Sequence, residues 1–66
     1  MRVRANGRWY DPPEGTTVDS FIRWRDLDPR FVVVERNGEP VERSRYETQV
    51  LADGDRLELV RAVAGG

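Results

Sequence analysis

Sixty-six residues with 11 basic and 12 acidic side chains, net charge −1, are the length of one small domain with a modest core. Neither Cys nor His occurs, which excludes a disulfide scaffold, a thiolate metal site and imidazole acid–base chemistry. Both charge signs are interspersed, a poor footprint for nucleic-acid binding. All basic residues are Arg, so the chain has no side-chain amine for self-conjugation.

Arg2-Val3-Arg4-Ala5 alternates polar and apolar, as a half-buried strand does. Such alternation is unlike a signal peptide, and no apolar run reaches the roughly 18 residues of a membrane span. The expected location is therefore the cytoplasm. Asn6-Gly7 signals a tight hairpin, and Arg8-Trp9-Tyr10 is the returning strand. Asp11-Pro12-Pro13-Glu14-Gly15 breaks regular structure. Thr17 stands at an N-cap position with Asp19 in the first turn, and Val18, Phe21 and Ile22 make one apolar stripe. This predicts a helix from about Val18 to Arg25, ended before Pro29.

Phe31 to Val34 is aromatic and β-branched, which predicts a strand. Asn37-Gly38 signals a second hairpin, with a short return at Pro40-Val41. Ser44 to Gln49 is polar around Tyr46 and is expected to be irregular or 3₁₀. Asp53-Gly54-Asp55 is a tight turn; its two carboxylates flank one Gly and are turn formers rather than a metal pair. Arg56 to Val60 alternates as a last strand.

The order ββ, helix, ββ, β predicts an α+β fold, a mixed sheet of four to five strands packed on one helix. The expected division is a domain over residues 1–60 and a C-terminal tail over 61–66. Inward residues are expected to be Val3, Ala5, Tyr10, Val18, Phe21, Ile22, Val32, Val34, Val41, Leu51, Leu57 and Leu59. Strand parity then turns Val33 and Val60 outward, on the face away from the helix, as a small apolar docking patch. Trp9 and Trp24 are candidates either for an interface or for the core margin. Arg43 and Arg61 are expected on a solvated face, with contact to acidic partner surfaces as the other reading.

The chemically informative feature is the end, Val63-Ala64-Gly65-Gly66. Two residues without Cβ let an extended backbone enter a slot too narrow for others. An α-carboxylate is ionised in the cell, with a pKa near 3.5, and is a poor electrophile. Making an acyl derivative of it needs activation, most simply as an acyl-adenylate from ATP. The plain alternative is a frayed terminus.

The whole chain resembles the ThiS family of ubiquitin-like, MoaD/ThiS-type sulfur carriers. The residues that carry the resemblance begin with Asn6, Gly15-Thr16-Thr17-Val18, Asn37-Gly38 and Val41. Arg43, Tyr46, Asp53-Gly54-Asp55 and Val63-Ala64-Gly65-Gly66 complete them. Pro12-Pro13, Trp24 and a charged Arg25 depart from its pattern. The resemblance implies a β-grasp fold and a protein cosubstrate, not an enzyme, with no catalytic residue, metal or cofactor of its own. Gly66 would be adenylated by a ThiF-type, E1-like adenylyltransferase using ATP and Mg²⁺. Sulfur from a cysteine desulfurase route would convert it to a thiocarboxylate. A ThiG-type thiazole synthase would take that sulfur into the thiazole of thiamine. Val63, Ala64 and Gly65 would enter partner active sites, and Val33 and Val60 would dock on the sheet face that meets the activating enzyme. No nucleic-acid or membrane partner is implied. Alternatives are a carrier for molybdopterin or tRNA thiolation, and a β-grasp interaction module with an inert tail.

Overall fold

The computed structural model describes residues 1–62. Five strands and one helix follow in the order β1 (Val3–Ala5), β2 (Arg8–Tyr10), α1 (Val18–Trp24), β3 (Val32–Arg36), β4 (Glu39–Pro40) and β5 (Arg56–Arg61). Short 3₁₀ turns occupy Pro29–Phe31 and Arg43–Arg45. The sheet order is β2-β1-β5-β3-β4. The β1–β5 pair is parallel, while β1–β2, β3–β5 and β3–β4 are antiparallel. This is the expected ubiquitin-like β-grasp, with β5 at the centre of a mixed sheet.

Both hairpins turn on two residues with positive φ. Asn6 and Gly7 have φ of 51° and 81°, and Asn37 and Gly38 have 52° and 86°. That is the type I′ geometry whose twist suits a two-residue hairpin.

Helix α1 is capped at both ends. Thr17 Oγ1 accepts from the Ser20 N–H at 3.1 Å while the Thr17 N–H donates to Ser20 Oγ at 2.8 Å, a capping box with Ser at its third position. The next N–H groups, of Val18 and Asp19, donate to the carbonyls of Gln49 and Tyr46. At the other end Leu27 N–H reaches Ile22 O and Asp26 N–H reaches Arg23 O. Asp26 adopts a φ of 59° there, so the helix closes in a Schellman motif with Asp where Gly is usual. The helix therefore stops at Trp24, with Arg25 as its cap.

Helix α1 packs Val18, Phe21 and Ile22 onto Val3, Ala5, Val32, Val34 and Leu57, with Leu51 and Tyr46 closing the core. Tyr10, Val41 and Leu59 lie at its margin, partly buried. Tyr46, absent from the expected inward set, is buried in the core and bonds Val32 O through its Oη. The departures at the helix end are accommodated by aromatic packing. Trp24 stacks on Phe21 with centroids 5.8 Å apart, and the Arg25 guanidinium lies 4.4 Å over the Tyr10 ring.

The ordered pairing of the backbone runs one residue and one hydrogen bond past residue 60. Strand β5 continues through Arg61, which stands opposite Val32. Ala62 still donates its N–H to Phe31 O at 2.6 Å. The 3₁₀ turn ahead of β3 offers this extra carbonyl, a partner that strand alternation did not reveal.

Candidate functional site

Strand parity is as the alternation required. Val32 and Val34 face the helix, and Val33 and Glu35 face away. Val33 stands directly opposite Val60, and the two are 48% and 60% exposed. Phe31 is exposed beside them and carries the Arg30 guanidinium over its ring. A small apolar patch thus sits on the outer sheet face where β5 ends.

The rest of that face is charged. Glu35 lies opposite Glu58, and Arg4 opposite Arg56. These four residues line a common open depression of about 290 Å³. Like charges directly opposite cost stability, and the adjacent pair of opposite sign offsets that cost. Farther out, Trp9 is half exposed with the Arg2 guanidinium 4.5 Å above its ring. Trp9 is on this outer face and Trp24 is on the helix side, so the structure does not bring the two together.

The strand that leads to Gly66 is held by side chains as well as by its neighbours. Strand β1 pairs with β5 only at Arg56 and Leu57. Beyond that, Asn6 takes over: its Nδ2 donates to Leu59 O at 3.0 Å and its Oδ1 accepts from Leu59 N–H at 2.8 Å. At the start of β5, Asn37 Oδ1 accepts from Arg56 N–H at 2.9 Å. Asp55, 5% exposed, is the hub below it. Its carboxylate accepts from Arg36 Nε at 2.8 Å, Asn37 Nδ2 at 2.9 Å and Ala52 N–H at 2.8 Å. Burial pushes that carboxyl up, but the Ala52, Arg36 and Asn37 donors outweigh burial and hold it below the ordinary 3.8. Asp53 is the turn former expected of it, accepting from Arg2 N–H at 2.7 Å.

Arg43 is not merely solvated. Its guanidinium donates to the carbonyls of Pro29 and Val32, while Tyr46 Oη donates to Val32 O at 2.7 Å. Arg61 is exposed, as expected. The Pro29 turn is also fixed by Asp28, whose carboxyl the Arg30 side-chain and backbone donors hold down to about 2. Among the described residues no cluster of three or more acidic side chains is placed to hold a metal ion. No described helix is long and apolar enough to cross a membrane. Val63, Ala64, Gly65 and Gly66 lie outside the described residues.

The roles of Asn6, Asn37 and Asp55 at β5 exceed the turn chemistry legible in the sequence. The only signal was their repeated position next to Gly at strand ends.

Comparison with known proteins agrees with this architecture. The crystal structure of a thiamine biosynthesis protein (ThiS) from Geobacter metallireducens superposes with a TM-score of 0.81 at 29% identity, covering 100% of both chains. The sulfur carrier protein ThiS of Bacillus subtilis strain 168 is 36% identical over 50 residues, 76% of each chain. Two thiazole synthases also match over the full length of this chain. The one from Magnetococcus marinus is 33% identical, and the one from Paramagnetospirillum magneticum is 36% identical. The chain spans only 20% of the length of either synthase. The family model of ThiS matches residues 3–66, through the Gly-Gly end, and the chain belongs to the ThiS family.

Proposed function

We propose that this protein is a sulfur carrier for the thiazole of thiamine, with Gly66 as the residue that is modified. The observation that carries the reading is the ThiS match through residue 66, which takes in Val63-Ala64-Gly65-Gly66. The names of the relatives support the pathway. One is a sulfur carrier, and two are thiazole synthases that contain a segment similar to this whole chain.

In this reading the Gly66 carboxylate attacks the α-phosphorus of ATP in an E1-like adenylyltransferase of the ThiF type, and pyrophosphate leaves. The terminal sulfur of a persulfide, supplied through a cysteine desulfurase route, then displaces AMP. Thiol cleavage of the resulting S–S bond leaves the thiocarboxylate. A ThiG-type thiazole synthase accepts that sulfur, and the carrier returns as the carboxylate. Mg²⁺ and ATP belong to the activating partner. This chain supplies no catalytic group and acts as a cosubstrate. The location proposed for this cycle is the cytoplasm.

The fold suits the role. The sheet delivers a strand end, the outer apolar pair Val33 and Val60 sits beside that end, and Val63, Ala64 and Gly65 precede Gly66 in the sequence. Intact-mass spectrometry tests the reading. After incubation with a cognate adenylyltransferase, ATP and a sulfur source, the protein gains the mass difference of sulfur for oxygen at its last residue. An unchanged mass, with an active enzyme control, would mark an inert interaction module instead.

A further inference from the structure

Strand β4 is too short to cover the whole open side of β3. It pairs with Glu35 and Arg36, and Val41 N–H reaches Val34 O, but nothing from β4 reaches Val32. Two side chains occupy the vacant place. Tyr46 Oη donates to Val32 O, and Arg43 donates to both Val32 O and Pro29 O. The Arg43 guanidinium also packs on the Tyr46 ring, 5.3 Å from its centroid. Tyr46 is buried in the core and Arg43 reaches in from the surface, so the brace ties the Pro29–Val32 segment to the body of the fold.

That segment contains Phe31, and Phe31 O holds the N–H of Ala62. We propose that Arg43 and Tyr46 are positioning residues for the end of the strand: they fix Phe31, and Phe31 fixes Ala62, the last of the described residues on the way to Gly66. Four residues follow Ala62 in the sequence, so the Gly66 carboxylate stands at most about 13–14 Å farther along the chain. If the Phe31–Ala62 bond opens and the Val32–Arg61 pair goes with it, the anchor retreats to Val60. Six residues then separate anchor and carboxylate, about 20–22 Å of chain. A longer tether samples a larger volume and presents its end at lower effective concentration. The brace therefore sets the point from which the chain leaves the sheet towards Gly66.

This inference rests on the carrier reading for its functional consequence but not for its structural one, and the test separates them. Amide hydrogen exchange is measured on the free protein, wild type and Arg43→Ala. The Ala62 amide is expected to exchange at least tenfold faster in the variant. The Arg4 and Asn6 amides, bonded to Asp55 O and Leu57 O, should keep their protection. Equal acceleration at all three sites would mean general destabilisation, and no change at Ala62 would mean no brace; either overturns the proposal. Steady-state ATP–pyrophosphate exchange with the adenylyltransferase follows for wild type, Arg43→Ala, Ala62→Pro and the double variant. Proline removes the same N–H donor directly. Each single variant is expected to lower kcat about tenfold with KM little changed, and the double variant to lower it no further than either single one. Additive losses, or a change confined to KM, would refute a shared device. A wild-type protein that supports no exchange would sink the carrier reading while leaving the Ala62 result to decide the brace.

Discussion

Replacing Asp55 by Ala should remove a large share of this domain's stability. The carboxylate accepts three bonds, from Arg36 Nε at 2.8 Å, Asn37 Nδ2 at 2.9 Å and Ala52 N–H at 2.8 Å. Hydrogen bonds to a charged group are worth about 1.5–3 kcal/mol each. They do not add here, because Arg36 is 28% exposed and its guanidinium can turn to water. Ala52 and Asn37 are exposed residues as well, so their donors can also meet water. The expected cost is about 3 kcal/mol, at the low end of the range for breaking a buried pair. A domain of this length has roughly 3–10 kcal/mol in total. With a urea m-value of about 1 kcal/mol/M, the midpoint should fall by about 3 M. Trp9 and Trp24 supply the fluorescence signal. The pH dependence follows from the depressed carboxyl of Asp55. Its folded pKa lies below its unfolded one, so its contribution is complete above about pH 4 and is lost as pH falls through the folded value. The wild type should therefore lose stability in acid more steeply than Asp55→Ala. A midpoint shift under about 0.5 M, or equal acid slopes, would show that the hub is not holding β5.

Three further outcomes are expected. Val60→Glu should change the melting behaviour little, by under about 1 kcal/mol because the site is 60% exposed, yet raise KM for the adenylyltransferase at least about tenfold through a buried unpaired carboxylate; an unchanged KM would remove this face from docking. Deleting Gly66 withdraws the carboxylate by about 3.3–3.6 Å and should abolish ATP–pyrophosphate exchange, with circular dichroism unchanged. Tyr46→Phe should cost about 1 kcal/mol in denaturant unfolding for the lost Oη bond to Val32 O, and a neutral result would mean Arg43 alone satisfies that carbonyl.

Period and turn chemistry were enough to recover most of the fold. Two Asn-Gly pairs, one 3.6-residue stripe and alternation at Arg56–Val60 specify the element order. Each of those signals reflects a local rule that tertiary packing reinforces. The misses share a cause. The pairing of Arg61 with Val32 and of Ala62 with Phe31 joins residues about thirty apart in the sequence, which no local pattern announces. The segment 44–49 is irregular beside a 3₁₀ turn, as expected, but the burial of Tyr46 within it has no periodic signal. Asp26 closes the helix at positive φ without the usual Gly, which leaves no mark in the sequence. At the site, parity placed Val33 and Val60 because one inward neighbour fixes a whole strand. Side-chain bonds to distant backbone, such as Arg43 to Pro29, follow no period and could not be read.

The use of Asn in both hairpins has a second reason beyond its tolerance of positive φ. Asp shares that tolerance, so turn geometry alone would accept either residue. Leu59, however, presents both a carbonyl and an N–H to residue 6, at 3.0 Å and 2.8 Å. Of the two, the carboxamide can donate to one and accept from the other, and the ionised carboxylate can only accept. A carboxylate there would face the Leu59 carbonyl with no proton and like partial charge. Asn37 meets the same demand, accepting from Arg56 N–H and donating to Asp55. Each turn thus ends one hairpin and continues the ladder along β5 where a neighbouring strand has stopped. Strand β5 is held at Arg56 by Asn37, at Leu59 by Asn6 and at Ala62 by Phe31. These supports fall at intervals of three residues. A strand fixed at those intervals transmits its position to its end, and that end leads to the residue on which the proposed chemistry depends.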